Sequence, residues 1–369
     1  MTPSNTWRGH ENEGHVSSFS MPNENPLSRE EISETVLNAY GLEPETVEKL
    51  GNVWKLTGQQ GTYALKKTTL SGPEQHRLLS FNQMTRQGHL RTPTLVLTRR
   101  GEPFFQEGRS TYYLTQWIHH SKEVERELTD QVWEVMSDWH RLTSQTLDVN
   151  AEWIETFTKR CLEVWSEQIL ALDQFMNACE HRHFPSPFEQ RFMTFYSDLR
   201  TGADDAHRRM TEWKDLLLEE RQIRLVLCHG KPCSDHLITS GHQRLWVSNE
   251  AAGIDLPIRD LTWYLRFGLA HQEEPDRLHR GFHLYETTFP LVEHEKKLLS
   301  AQIRHPSRVI SLIERYKRLR GTQSEFEPTI TLESAFHNWG RTWETLSREL
   351  DRKPEPPMDT ENKTTTESS

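Results

Sequence analysis

The spacing of hydrophobic residues separates a first short helix from a region of strands. Ser28 and Glu31 form a capping box, and the apolar residues that follow recur at helical spacing until Gly41. Short β-rich runs then continue to Ile118, separated by turn residues. One helix-like segment, 73–88, interrupts these runs. The pattern predicts a small mixed β lobe.

Helical spacing dominates the rest of the chain. Ser186, Pro187 and Glu189 mark one helix start, with proline at the first helical position. Further helices are predicted at about 258–270, 285–303, 305–320 and 330–350. A strand at 223–228 and a hairpin at 237–250 lie between the helices. The sequence predicts an α+β fold with an N-terminal β-rich lobe, 28–118, and a C-terminal helical lobe, 119–350.

Both ends of the chain are polar, and composition narrows the function classes. Residues 1–27 and 351–369 are rich in Ser, Thr, Asn, Pro and Glu, so we expect disordered tails.

The formal net charge of -10 argues against a protein that binds nucleic acid over its whole surface. No apolar run approaches the roughly 18 residues of a membrane span, and the N-terminus lacks the pattern of a secretory signal. We therefore expect synthesis in the cytoplasm.

The four cysteines suggest neither a disulfide framework nor a zinc site. Cys228 and Cys233 lie near His229 and His236, yet the spacing matches no common zinc pattern. Cys228 also ends an apolar run, where a buried thiol is the usual outcome. No metal is expected here.

A strand, a tight loop, a hairpin and a helix follow one another between Leu225 and Leu261. Loops of this kind lie at the rim of a domain, where catalytic side chains are common. The loop after His229-Gly230 nevertheless offers Lys231, Pro232 and a serine where an acid would be expected. The framework of a catalytic loop is present without its acid.

The same segment carries a family resemblance. Residues 229–238 read HGKPCSDHLI, whereas the aminoglycoside phosphotransferase and choline kinase superfamily reads roughly HGDxxxxNLL. Other matched segments, in chain order, are YALKK at 63–67, YYLTQWI at 112–118, MSDWH at 136–140, VSNE at 247–250 and PIRDLT at 257–262. Over about residues 30–345 the chain resembles this superfamily, and within it the spore-coat CotS, YutH and YsxE type, with YsxE nearest. The resemblance implies a protein-kinase-like fold of two lobes.

Three replacements imply that the phosphotransferase site is degenerate. Lys231 occupies the position of the aspartate that accepts the substrate's proton, and a cation cannot act as that base. His236 matches the magnesium-binding asparagine, and Ser248 matches the magnesium-binding aspartate. Magnesium prefers hard oxygen ligands that include a carboxylate, which neither replacement supplies. The resemblance thus implies a pseudokinase.

Neighbouring residues leave alternatives open. Asp235 and Glu250 are candidate substitutes for the lost carboxylates, which would give an atypical ATP-dependent kinase of a sugar or another small molecule. Lys66 matches the lysine that pairs nucleotide phosphates, and Glu74 is its candidate acidic partner. Only Gly51 stands in the preceding loop, where close approach to phosphate favours several glycines. Because Lys66 is present but the loop before it has few glycines, binding of ATP without turnover is a third hypothesis.

The remaining matched positions are expected to be structural. His229 would anchor the loop backbone, and Asp260 would cap its helix and brace the loop. The function that the resemblance implies is that of a structural or interaction protein of the bacterial spore coat. It would be made in the mother cell, deposited on the spore and bound to other coat or coat-morphogenetic proteins.

Overall fold

The computed structural model describes residues 32–87, 92–119, 125–240, 243–269, 274–321 and 324–351. The predicted tail 1–27 lies outside these ranges, and so do residues 352–369. Asp351, which we assigned to the C-terminal tail, is described. It accepts hydrogen bonds from Arg209 at 2.5 and 2.9 Å, so the helical lobe extends at least one residue beyond the predicted boundary.

In its described residues, the N-terminal lobe is an antiparallel sheet with two helices. Its elements are α1 (Glu34–Tyr40), β1 (Thr46–Leu50), β2 (Val53–Gly58), β3 (Gly61–Thr68), α2 (Gly72–Gln87), β4 (Leu95–Val96), β5 (Phe105–Glu107) and β6 (Ser110–Gln116). The strand order is β1-β2-β3-β6-β4, and β5 also pairs with β6. The register sets Lys66 of β3 opposite Tyr113 of β6. Directly opposed residues project from the same face of a sheet, so these two side chains are neighbours.

The first helix begins later than predicted. Ser33 is its N-cap, and the hydroxyl accepts a hydrogen bond from the Val36 amide at 3.3 Å. The predicted capping residues Ser28 and Glu31 lie outside the described residues. The helix ends at Gly41 as predicted, with a φ of 68° that glycine adopts without steric cost.

The C-terminal lobe is mainly helical. Its elements are α3 (Glu125–Thr143), β7 (Gln145–Asp148), α4 (Ala151–Glu180), α5 (Pro187–Glu220), β8 (Gln222–Cys228), β9 (Leu237–Ser240), β10 (Gln243–Trp246), β11 (Gly253–Asp255), α6 (Ile258–Trp263), α7 (Pro275–Thr288), α8 (Glu293–Arg304), α9 (Ser307–Leu319) and α10 (Phe326–Leu350). Strand β8 is the centre of a small antiparallel sheet between β7 and β11, while β9 and β10 form the predicted hairpin. Within the described ranges, no helix has both the length and the apolar character that a membrane span requires.

The helix boundaries show where local signals decided the structure. The predicted helix start at Ser186 is confirmed, and Ser186 and Glu189 form a capping box there, with Ser186 Oγ accepting from the Glu189 amide at 3.3 Å. The single helix predicted at 285–303 is wrong, because α7 ends at Thr288 and α8 begins at Glu293. Pro290 explains the break, since proline lacks an amide hydrogen and disfavours helical geometry in the preceding residue.

Candidate functional site

The loop after β8 is fixed by a buried carboxylate on α6. Asp260 accepts hydrogen bonds from the backbone amides of His229 and Gly230, each at 2.7 Å. Burial alone would raise the pKa of Asp260. The hydrogen bond from His140 and the nearby positive charges outweigh it and leave that pKa below its usual value. Asp260 lies in the first turn of α6, but its carboxylate bonds to the loop amides and to His140, whereas the N-cap of the helix is Pro257.

Gly230 is required by the geometry of this loop. Its φ is 85°, and a Cβ atom there would lie 2.3 Å from the carbonyl oxygen of Ala251. Side chains are therefore excluded both by backbone conformation and by the packed turn opposite. The loop and the segment after β10 are held in close contact at this point.

His229 is buried, neutral and fully hydrogen-bonded. Its Nε2 donates to the Val247 carbonyl at 2.9 Å, and its Nδ1 accepts from the Lys231 amide at 3.3 Å. Burial, followed by the charge of nearby His236, lowers the pKa of His229 to about 4. The imidazole links the catalytic-type loop to the end of the hairpin.

His236 lies in a short 3₁₀ turn, Ser234–His236, at the end of the same loop. Its Nδ1 donates to the carbonyl oxygen of Lys231 at 2.8 Å, which leaves Nε2 as the acceptor nitrogen. Burial lowers the pKa of His236. Among the described residues, nothing bonds to the Lys231 ammonium, and that side chain is half-buried.

Lys66 reaches from the N-terminal lobe to the C-terminal lobe. Its Nζ donates to Ser248 Oγ at 2.9 Å and lies 2.5 Å from Glu250 Oε1. Tyr113 donates its hydroxyl to the same Glu250 oxygen at 2.6 Å. We call these four residues the interlobe cluster. The cluster joins the β3–β6 face of the sheet to the turn that follows β10.

The interlobe cluster keeps Glu250 ionised although it is mostly buried. Burial would raise the pKa of Glu250, but the charge of Lys66 and the hydrogen bonds from Lys66 and Tyr113 lower it to about 2. The pKa of Tyr113 is raised, first by burial and then by the Glu250 charge, so the phenol remains a donor. Ser248 adopts a left-handed conformation, φ 61° and ψ 47°, which is uncommon for a residue other than glycine.

The other acidic residues considered from sequence lie elsewhere. Glu74 accepts from the amide and hydroxyl of Ser71, both at 2.7 Å, so the expected Lys66–Glu74 pair is replaced by Lys66–Glu250. Asp235 is exposed in the 3₁₀ turn. The structure thus brings Lys66, Ser248 and Glu250 together. Tyr113 was missed from sequence as a site residue, because its place opposite Lys66 depends on the register of β3 and β6.

The donor set does not fit a magnesium ion. Mg²⁺ needs octahedral oxygen ligands at about 2.0–2.1 Å, with carboxylate charge. Ser248 Oγ is hydrogen-bonded to an ammonium, and that ammonium already neutralises Glu250. His236 supplies nitrogen, and Lys231 supplies a positive charge. Lys66 could still hold a nucleotide phosphate, because its ammonium has three donors and contacts two groups in the described part of the chain.

A second group of metal-ligand types lies behind the loop. His140, Cys228 and Asp260 place one ligand atom each within 4.8 Å of one another. Each is already hydrogen-bonded: His140 Nδ1 to the Tyr285 hydroxyl at 2.6 Å, and Cys228 Sγ to the Leu256 carbonyl at 3.4 Å. Burial raises the pKa of Cys228 well above its usual value, which disfavours the thiolate that a metal requires. This group is a buried hydrogen-bond network.

Comparison with solved structures defines the class of fold. An aminoglycoside phosphotransferase from Alicyclobacillus acidocaldarius superposes with a TM-score of 0.65 at 16% identity, over 90% of this chain and 98% of that one. Spectinomycin phosphotransferase APH(9)-Ia, solved with ADP and spectinomycin, gives 0.61 at 13%, over 87% and 100%. A microcompartment-associated aminopropanol kinase gives 0.56 at 12%, over 86% and 98%. These likenesses confirm the protein-kinase-like fold.

The sequence itself identifies the family. Residues 33–349 match the family described as "Spore coat putative kinase YutH". The chain belongs to this family, which confirms the spore-coat kinase-like type inferred from its motifs. The narrower likeness to YsxE stays a prediction. A search of curated proteins found no match.

Proposed function

We propose that this protein is a spore-coat pseudokinase, which uses a kinase fold as a structural or interaction module and transfers no phosphate. The observation that carries the proposal is the interlobe cluster. Lys66, matched to a phosphate-pairing lysine, is bound to Ser248, matched to a metal-binding aspartate, and neutralised by Glu250. An arrangement that should hold a metal and phosphates instead holds an ion pair between the lobes.

The chemistry of the loop supports the same proposal. Phosphoryl transfer relies on positioning and on charge stabilisation by metal ions, and a base accepts the proton of the substrate hydroxyl. Lys231 cannot accept that proton. Loss of a base alone costs about 10² to 10⁴ in rate, and loss of metal charge removes several kcal/mol more of transition-state stabilisation. These losses are not additive, but both act against turnover.

The competing proposal is a kinase that uses displaced carboxylates. It is favoured by Glu250, which is ionised and lies two residues after Ser248. Against it, Oε1 of Glu250 is 2.5 Å from the Lys66 ammonium and accepts from Tyr113, so a metal bound by this carboxylate would lie close to a positive charge that repels it. Asp235 is exposed on a separate turn. Binding of ATP without turnover is compatible with the pseudokinase. The location that we propose for the protein is the spore coat, and the partners that we propose are other coat proteins.

The test is a turnover assay on the full chain with ATP and either Mg²⁺ or Mn²⁺, across small hydroxylated substrates. We expect no ADP formation above the background of a Lys66→Met variant. Turnover that is abolished by Asp235→Asn or Glu250→Gln would overturn the proposal and establish the displaced-carboxylate kinase.

A second arm tests the structural role in the spore. A strain that lacks the protein would be complemented with wild type or with Asp235→Asn, and coat assembly would be compared. Asp235 is exposed and its side chain makes no hydrogen bond or ion pair among the described residues, so the variant should fold. We expect equal complementation. Failure of the Asp235→Asn variant, with normal protein levels, would indicate that this carboxylate does chemistry.

A further inference from the structure

The interlobe cluster and the loop after β8 present donors where a metal-dependent site would present acceptors. Among the residues that the structure describes, Lys66 contacts Ser248 and Glu250, which leaves one of its three N–H groups to donate. Ser248 Oγ accepts from Lys66, so the hydroxyl hydrogen of Ser248 is available to donate. The half-buried ammonium of Lys231 has no bonded partner among the residues that the structure describes. These groups favour an anion.

The charges near these donors favour an anion as well. Glu250 is neutralised by Lys66 at 2.5 Å, and His236 is uncharged near neutral pH because burial lowers its pKa. Asp235 is exposed, where water screens its charge. The ammonium of Lys231 is therefore a half-buried positive charge that water screens less than it screens the exposed Asp235 carboxylate.

We propose that the interlobe cluster and the loop after β8 together bind the polyphosphate chain of a nucleotide without a divalent metal, with the Lys231 ammonium supplying charge that a metal would otherwise supply. The inference rests on the proposed function, because it assumes that the site lacks metal chemistry. Lys66 and Ser248 donate to phosphate oxygens, and Lys231 pairs with the anionic charge. The interlobe cluster can remain intact, since the remaining donors of Lys66 and Ser248 are sufficient.

This mode of binding has an unusual dependence on magnesium. Free ATP carries more negative charge than its magnesium complex, so a site that is built from ammonium groups attracts the free form more strongly. A metal-dependent site shows the opposite preference, because its carboxylates repel the uncomplexed nucleotide. The direction of the magnesium effect therefore separates the two kinds of site.

The experiment is calorimetric titration of ATP into the full chain, first with EDTA and then with excess Mg²⁺. We expect binding in EDTA at least as tight as with magnesium, and at least a 10-fold loss in EDTA for Lys231→Met. Lys231→Arg, which keeps the charge, should retain binding within about threefold. Inorganic tripolyphosphate in EDTA should compete with ATP. A thermal melt without ligand checks that the Lys231 variants remain folded.

Three results would overturn the inference: binding only with magnesium, no binding in either buffer, or an unchanged affinity in Lys231→Met. None of these results alone decides the proposed function. A chain that binds no nucleotide remains a pseudokinase, whereas metal-dependent turnover in the separate assay would remove the proposed function itself.

Discussion

Substitution of Lys66 tests whether the interlobe cluster stabilises the fold. Lys66→Met keeps the length of the side chain and removes the ammonium, which leaves a mostly buried Glu250 carboxylate without its cation. In the structure the pKa of Glu250 is held at about 2 instead of 4.5. At 1.36 kcal/mol for each pKa unit, that difference corresponds to about 3 kcal/mol in favour of the ionised carboxylate. Because both side chains are only 18% exposed, solvent screens the pair weakly.

We therefore expect Lys66→Met to lower the free energy of unfolding by about 3 kcal/mol at pH 7. The assay is urea denaturation followed by tryptophan fluorescence, in a double-mutant cycle with Glu250→Gln. The double variant should lose clearly less stability than the two single variants together, with a coupling of about 2 kcal/mol. Lys67→Met is the matched control. Lys67 is the exposed neighbour on the same strand, and its Nζ only overlies the Tyr112 ring at 5.9 Å, so we expect at most about 1 kcal/mol.

The pH dependence of the coupling adds a check of its cause. A carboxylate whose folded-state pKa is lowered stabilises the protein above its unfolded pKa, and that stability is lost as the pH falls through the folded value. The coupling should thus be complete above about pH 4.5 and decline toward pH 2. A coupling below 0.5 kcal/mol at pH 7, or one that does not change with acid, would refute the reasoning.

Three further expectations follow from the loop after β8. Asp260→Ala leaves two buried amides without an acceptor and should cost about 3 kcal/mol in chemical denaturation; a loss below 1 kcal/mol would contradict the bracing role. Gly230→Ala should destabilise the protein by more than about 2 kcal/mol, because the added Cβ would lie 2.3 Å from a backbone oxygen. Gly51→Ala is the control, with φ 62° and open space around it, and should cost only about 1 kcal/mol. Equal losses for the two variants would show that the contact at Gly230 does not matter. Because the pKa of His229 is lowered to about 4 in the folded protein, the unfolded chain binds a proton at this residue at higher pH than the folded one does. The free energy of unfolding should therefore fall as the pH drops from 6.5 to 4. A His229→Gln variant should show a shallower fall in the same denaturation series, and an identical slope would contradict the assignment.

Much of the fold was predictable because its signals are local. The capping box at Ser186 and Glu189 fixed the start of α5, and Gly41 fixed the end of α1. The two short strands β7 and β11 were missed, since four and three residues are too few to show a period. The predicted helix 285–303 failed at Pro290, whose effect on the backbone was the signal that should have divided it.

The site was less predictable because its contacts are distant in sequence. Sequence reasoning placed Glu74 beside Lys66, since both lie in the same lobe and the acid begins the next helix. The acid that pairs with Lys66 is Glu250, which is 184 residues away and had been considered only as a metal ligand. That contact depends on how the two lobes pack against each other, which no local pattern records. Tyr113 entered the cluster for the same reason.

The most direct test of the central claim is a crystal of the full chain grown with ATP and Mn²⁺, examined by anomalous diffraction. We expect no manganese coordinated by Asp235 or Glu250, and an unbroken contact between Lys66 and Glu250. Manganese bound by those two carboxylates, with ATP phosphates as further ligands, would contradict the account.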